Sequence, residues 1–208
     1  MLNEKLLSKE CKKYNPLAQK ELYEKYSEII MALCYRYTGN LIIAEDLMQE
    51  SLIKVFTKIN KFKWINEGSF DAWIKKIAIN SCLTHLEKNK MKKEILIGDK
   101  EDELIGKLGN DDLENNEIDL HNINNAKIDM NIINNANLSE EDMLGALTQI
   151  PEPFRNVFNL HVIEGIKHEE IANMLKINIK TSKTRLYRAR KLLKKIIYDM
   201  SLEKININ

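Results

Sequence analysis

The chain has 208 residues, 44% apolar and 30% charged, with a formal net charge of +1, a composition that excludes wholesale disorder and allows one or two small domains. The near-neutral total conceals segregation: residues 1–93 hold 17 Lys/Arg against 11 Asp/Glu, residues 94–144 hold 3 against 14, and residues 145–208 hold 12 against 6. Two basic ends around an acidic middle point to polyanion partners rather than to a uniformly solvated surface.

The first elements read as helices. Asn15-Pro16 is a start signal, since Asn caps a helix and Pro suits its first position. Leu22, Tyr26, Ile29, Leu33 and Tyr37 then recur at helical spacing, and Gly39-Asn40 ends the run. A second helix is expected from about Ile42 to Ile59, with Ala44, Leu47, Met48, Leu52, Val55, Phe56 and Ile59 inward. On its opposite side Asp46, Gln49, Glu50 and Ile53 fall at i, i+3, i+4 and i+7, sharing one face. An isoleucine among exposed acids suits a docking surface with an apolar centre and a polar rim; the competing reading is a solvated acidic face. A loop from Asn60 to Ser69 holds Lys61, Phe62, Lys63 and Trp64. A third helix after Ser69 carries Trp73, Ile74, Ile77, Ala78 and Ser81 along one side. The loop aromatics Phe62 and Trp64 are of the type that stacks on unpaired bases, and Lys61, Lys63, Lys75 and Lys76 can hold a nucleic-acid backbone. Phe70 and Trp73 read as core.

Residues 94–138 are rich in Asn, Asp, Glu and Ile without a steady period. Asn favours turns over helix interiors, and the stretch is too long for a connection inside one compact domain. It reads as a flexible acidic linker.

Helical signals resume at Ser139-Glu140-Glu141-Asp142, a capping start. Pro151 and Pro153 precede a helix from Phe154 to about Glu164, closed by Gly165. A short helix from His168 to Leu175, a turn at Lys176-Ile177-Asn178 and a longer helix from about Lys180 to Tyr198 give the helix-turn-helix layout. Between Lys176 and Tyr198 the chain has nine Lys/Arg and no acid. Leu186, Ala189 and Leu193 form its inward stripe. Lys180, Thr181, Lys183, Thr184, Arg185, Tyr187, Arg188 and Lys191 are the candidate DNA contacts near its start, where recognition helices meet base edges. Arg190, Lys194 and Lys195 lie further along and suit phosphates, which fix position without reading sequence. The bland alternative, a solvated cationic face, fits a run without interleaved acids poorly.

Three segments, Ile150-Pro151-Glu152-Pro153-Phe154-Arg155, His168-Glu169-Glu170-Ile171-Ala172 and Thr184-Arg185-Leu186-Tyr187-Arg188-Ala189-Arg190, resemble region four of sigma-70-type sigma factors of the extracytoplasmic function (ECF) group. Ala44–Phe56 and Gly68–Asn80 resemble region two of the same family. The resemblance implies an all-α chain of two small helical domains: region two in residues 1–93, a flexible acidic linker in 94–138, and a region four helix-turn-helix in 139–208. It implies that Asp46, Gln49, Glu50 and Ile53 grip the clamp helices of the RNA polymerase β′ subunit, with a second contact at the β flap. It implies that Lys61, Phe62, Lys63, Trp64, Lys75, Lys76 and Asn80 open and hold the minus-ten element as single-stranded DNA. By the same resemblance Lys183, Thr184 and Tyr187 face bases of the double-stranded minus-thirty-five element, and the acidic linker threads channels shaped for nucleic acid. An anti-sigma factor is a further partner of the group. The chain departs from the family at Lys167, where a capping Ser is usual, at Lys180, where Gly is common, and at Ser182, where an inward Val is usual.

Two other function classes compete with this reading. A one-component regulator would use only the C-terminal helix-turn-helix, with the N-terminal block as sensor or dimeriser; the Asp46–Glu50 face and the Phe62–Asn80 segment serve no purpose in it. An enzyme such as a nuclease needs clustered carboxylates or His/Cys ligands. His85, His121, His161 and His168 show no ligand spacing, no Gly-rich phosphate loop occurs, and Cys11, Cys34 and Cys82 form neither a zinc motif nor a disulfide framework. No catalytic residue, metal or cofactor is expected. No apolar run is long enough to span a bilayer and Met1-Leu2-Asn3-Glu4-Lys5 lacks a signal peptide's apolar core, so a cytoplasmic location without membrane insertion is expected.

Overall fold

The structure, a computed structural model, describes residues 3–97 and 138–207. The acidic stretch read as a linker lies outside the described residues except at its edges. The described residues are helical and fall into two units, residues 1–86 and 87–208, each treated by itself. None of the described helices is long and apolar enough to cross a membrane.

The N-terminal unit contains a helix that the sequence reading missed. Helix α1, Glu4–Lys12, starts where the Asn3 side chain accepts from the Leu6 amide. It buries Leu7 and Cys11 completely. Helix α2, Pro16–Thr38, starts at the Asn15 cap and ends at Gly39, whose left-handed φ of 66° lets its amide close on the Tyr35 carbonyl at 2.8 Å; a Cβ there would be strained. The buried stripe runs through Leu22, Tyr26, Ile30, Leu33, Cys34 and Tyr37. Ile30 thus takes the place expected for Ile29, which is exposed. Helix α3, Leu41–Lys58, is capped by Asn40 and returns against α2. Of the inward residues expected, Ala44, Leu47, Met48, Leu52, Val55 and Ile59 are buried while Phe56 is only half-buried, and Ser51 joins them: its hydroxyl donates to its own helix at the Leu47 carbonyl, so a polar atom is buried with a partner. A 3-10 turn, Ile59–Lys61, leads to the loop before helix α4, Ser69–Ile97. Along α4, Phe70, Ile74, Ala78, Ile79, Ser81, Cys82 and Leu86 are buried.

Cys34 and Cys82, far apart in sequence, meet in this core with their sulfurs 3.6 Å apart as free thiols. Burial lifts the third, Cys11, to about 11, so it packs as a small apolar side chain rather than reacting as a thiolate.

In the C-terminal unit, helix α5 spans Glu140–Gln149. Ser139 and Asp142 form a full capping box at its start. The Asp142 carboxylate also meets the Lys204 ammonium, and the two contacts, Lys204 before Ser139, hold it near 2. Helix α6, Glu152–Phe158, has a proline in its first turn and runs into one π turn, Asn159–Ile163, before Gly165 (φ 69°) stops it. Helix α7 spans His168–Leu175 and helix α8 spans Ile179–Ile207, further than the expected Tyr198. Ala146, Ile150, Phe154, Val157, Leu160, Ile171, Leu186 and Ala189 make the core.

Candidate nucleic-acid and protein interfaces

The turn between α7 and α8 is built from backbone. Lys176 adopts the left-handed conformation (φ 53°), and the Ile177 amide closes on the Ala172 carbonyl at 3.0 Å. Asn178 then caps α8: its side chain accepts from the Thr181 amide at 2.6 Å and its carbonyl from the Ser182 amide at 3.1 Å. The helix is thereby fixed in rotation. Ser182, Leu186 and Ala189 point into the core, which places Lys180, Lys183, Arg190 and Lys191 at the surface and leaves Thr181, Thr184, Arg185, Tyr187 and Arg188 half-exposed. Arg188 departs from a purely outward position, since its guanidinium carbon lies 5.9 Å from the Phe154 ring centroid on α6. Leu193 is only half-buried.

Under this surface lies a cluster the sequence reading did not find. The rings of His161 and His168 stack 4.2 Å apart at 18°. His161 Nδ1 bonds the Ile166 carbonyl at 2.8 Å, and His168 Nδ1 lies 2.9 Å from the buried Ser182 hydroxyl. Ser182, a departure from the family's usual Val, therefore serves as the partner of a histidine. Burial, then His161, then Lys183 push His168 below its ordinary value. Of the other two departures, Lys167 stands at the N-cap of α7 and supplies no side-chain cap, and Lys180 is exposed at the start of α8.

On α3, Asp46, Gln49, Glu50 and Ile53 are all exposed on one face, Ile53 at 62%. Lys54 bonds Glu50 at 2.5 Å and reaches the Ser81 hydroxyl at 2.9 Å, tying that face to α4. The stripe is longer than expected: Ile42, 74% exposed, lies four residues before Asp46. Steps of four, three and four from Ile42 to Ile53 make a seam of coiled-coil type. Reading Ile42 only as the start of the helix concealed it.

The loop residues separate. Phe62, expected to stack on bases, is a core residue: it is 4% exposed, with its ring 4.9 Å from Phe70 and 5.3 Å from Trp73. Its ring is withdrawn from any ligand because an exposed phenyl would forfeit that packing. Lys61 and Lys63 on either side are exposed, and Trp64 is half-exposed. Ile65, which the sequence reading passed over, is 80% exposed at the loop tip. Ser69 holds that tip, donating to the Asn66 carbonyl at 2.6 Å. On α4, Lys75 pairs with Asp71 at 2.8 Å, while Lys76 and Asn80, one turn apart, face outward. Phe70 is core as expected; Trp73 is only half-buried. Among the described residues no three His, Cys, Asp or Glu side chains gather as a metal site would require.

Comparison with known proteins bears on both units. The family described as Sigma-70 region 2 matches residues 22–91, and the family described as Sigma-70, region 4 matches residues 140–193. The ECF RNA polymerase sigma factor SigW of Bacillus subtilis is 28% identical over 193 residues, covering 92% of this chain and 95% of that protein. The ECF RNA polymerase sigma factor SigE of Mycolicibacterium smegmatis is 26% identical over 183 residues; the match covers 88% of this chain but 63% of that longer protein. Among solved structures, the sigma factor RpoE in complex with the anti-sigma factor NepR from Bartonella quintana aligns with a TM-score of 0.47 and 19% identity, over 85% of this chain and 94% of that one.

Proposed function

The chain belongs to the sigma-70 family, in its extracytoplasmic function group, and from that premise we propose how its two units divide the work of starting transcription. The family acts as an initiation factor rather than as an enzyme, through RNA polymerase and promoter DNA. The N-terminal unit docks on the clamp helices of core polymerase through the Ile42–Ile53 seam of α3, where Asp46, Gln49 and Glu50 supply polar specificity and Ile53 the apolar centre. The loop before α4 and the first turns of α4 take the minus-ten element as a single strand. Trp64 and Ile65 meet bases, Lys61, Lys63 and Lys76 the backbone, and Asn80 lies one turn beyond Lys76. The C-terminal unit reads the minus-thirty-five element through the start of α8, with Lys183, Thr184 and Tyr187 toward bases and Arg190, Lys191, Lys194 and Lys195 toward phosphates. A contact with the β flap belongs to this unit, and an anti-sigma partner would act by covering one of these faces. The acidic residues 94–138 connect the units, and their like sign to nucleic acid suits a channel made for it.

The observation that carries this reading is the acid-free basic stretch of α8 up to Tyr198, held in rotation by the Asn178 cap and its buried stripe. A regulator of the one-component kind would need an N-terminal sensor, and residues 22–91 match region 2 instead. The test is transcription in vitro with purified core polymerase on genomic fragments. Specific starts that depend on the chain support the reading; a chain that neither binds core nor directs starts refutes it. Glu50→Ala is expected to weaken core binding and leave DNA binding by the C-terminal unit unchanged. Lys183→Ala or Thr184→Ala is expected to weaken only the upstream element. The reverse pattern would exchange the roles of the two units.

A further inference from the structure

Helix α1 precedes the residues that match region 2, yet it touches the base-reading loop near both of its ends, and the turn after α1 adds a third tie. Near one end of the loop, Lys12 Nζ donates to the Phe62 carbonyl at 2.6 Å and lies 5.6 Å from the Phe62 ring centroid. At the other, the Gly68 amide donates to Glu4 Oε2 at 3.1 Å. Between α1 and α2, Tyr14 stands at a positive φ of 58°, and its hydroxyl accepts from Asn60 Nδ2 at 2.9 Å, just before the loop. Few non-glycine residues hold that backbone conformation, so the turn at Tyr14 is held at a conformational cost.

The chemistry of these ties is informative. Lys12 and Glu4 hold backbone groups, one carbonyl and one amide, that bracket residues 63–67. Backbone ties fix the path of the loop whatever its side chains are. They leave Trp64 half-exposed and Ile65 80% exposed between the two anchors. Both anchoring side chains are themselves partly buried: Glu4 is 22% exposed and also lies 3.9 Å from Lys25. The helix that carries them is held by its buried Leu7 and Cys11. A loop clamped at both ends before its ligand arrives gives up less freedom on binding, and its side chains present one geometry rather than many.

We propose that α1 is a brace for the loop that reads single-stranded DNA, with Glu4 and Lys12 as positioning residues that set its base selectivity. This rests on the assignment of the loop to the minus-ten element. The predicted signature is loss of discrimination without loss of docking. The loop should still sample its bound path without the brace, but less often, and favoured and unfavoured bases should then be held more nearly alike.

The test uses the full-length chain bound to core RNA polymerase. The probe is a pool of forked DNA whose single-stranded arm is randomised, with the retained fraction sequenced. Glu4→Ala combined with Lys12→Ala is expected to lower enrichment of the preferred bases by roughly 10-fold, the loss of two backbone ties. Core affinity should stay within about twofold of wild type, because the α3 face does not involve α1. The conservative pair Glu4→Gln with Lys12→Arg keeps an acceptor for Gly68 and a donor for Phe62, and is expected to restore selectivity. Selection as sharp as wild type in the double Ala variant overturns the proposal. So does a loss of selectivity matched by equal losses of core affinity and melting temperature, which would make α1 merely part of the core. Trp64→Ala with Ile65→Ala separates the two levels. If that variant selects bases like wild type, the loop does not read DNA and the functional assignment fails, taking the brace with it. If it loses selectivity while the Glu4/Lys12 double Ala variant keeps it, the brace alone fails.

Discussion

Phe62→Ala and Trp64→Ala, two residues apart in one loop, should fail in different ways. The Phe62 ring is 4% exposed and sits between Phe70 and Trp73 at 4.9 and 5.3 Å. Truncating a buried phenylalanine costs about 3–5 kcal/mol, and a site at a loop, where the chain can partly collapse, belongs at the low end, about 3 kcal/mol. For a unit of this size each kcal/mol moves Tm by about 4–8 °C, so the N-terminal transition should fall by roughly 12–24 °C. Trp64 is half-exposed, and its removal should cost less than about 1 kcal/mol of stability. A base stacked on it contributes about 1–3 kcal/mol, so single-strand binding by the polymerase-bound chain should drop by about 5- to 150-fold. Thermal melting followed by circular dichroism reads the first quantity, and anisotropy of a labelled forked DNA the second. A Phe62→Ala chain that melts like wild type would refute the packing argument. A Trp64→Ala chain that binds single strands undiminished would refute the assignment of the loop.

Other consequences follow from the C-terminal unit. Lys167→Ser should supply the missing cap of α7 and raise stability by about 1 kcal/mol, seen as a higher denaturation midpoint at unchanged slope; no gain would mean the cap position is already satisfied. Lys191→Ala should weaken duplex binding uniformly across sequences and reduce the salt slope of log K by about 0.9, whereas a sequence-dependent loss would move Lys191 into the base-reading set. His168 is held below its ordinary value of 6.5, so the unfolded chain takes up its proton first and stability is lost as pH falls through that range. The stability advantage of wild type over His168→Gln should therefore shrink between about pH 7.5 and 5.5. An advantage that stays constant across that interval would show that the stacked pair does not resist protonation.

What could be read from the sequence was whatever repeats along a helix. The periods of α2, α3 and α8, the Asn and Ser caps and the proline and glycine stops each depend on near neighbours, so the helices and most inward residues were legible. Where two isoleucines stand side by side, the period alone does not choose, and Ile30 rather than Ile29 faces the core. Phe62 was misplaced for a related reason: a loop has no period, and only its contacts with Phe70 and Trp73 decide that the ring turns inward. Helix α1 escaped because nine residues offer only about two and a half turns of pattern. His161, His168 and Ser182 come from three different segments, and no local rule joins them. Ser182 stands out in the sequence only as a departure; its pairing with a histidine needs the fold.

The bond between Asp142 and Lys204 has a mechanical side. It fastens the start of α5 to the last turns of α8. At 1.5 Å per residue, Lys204 lies about 38 Å along the helix from Ile179. A pull on the incoming chain is thus applied at the far end of the rod from the residues proposed to meet bases. Lengthening or shortening residues 98–137 should then change the range of spacer lengths tolerated between the two promoter elements, while the sequence preferred at the upstream one stays the same.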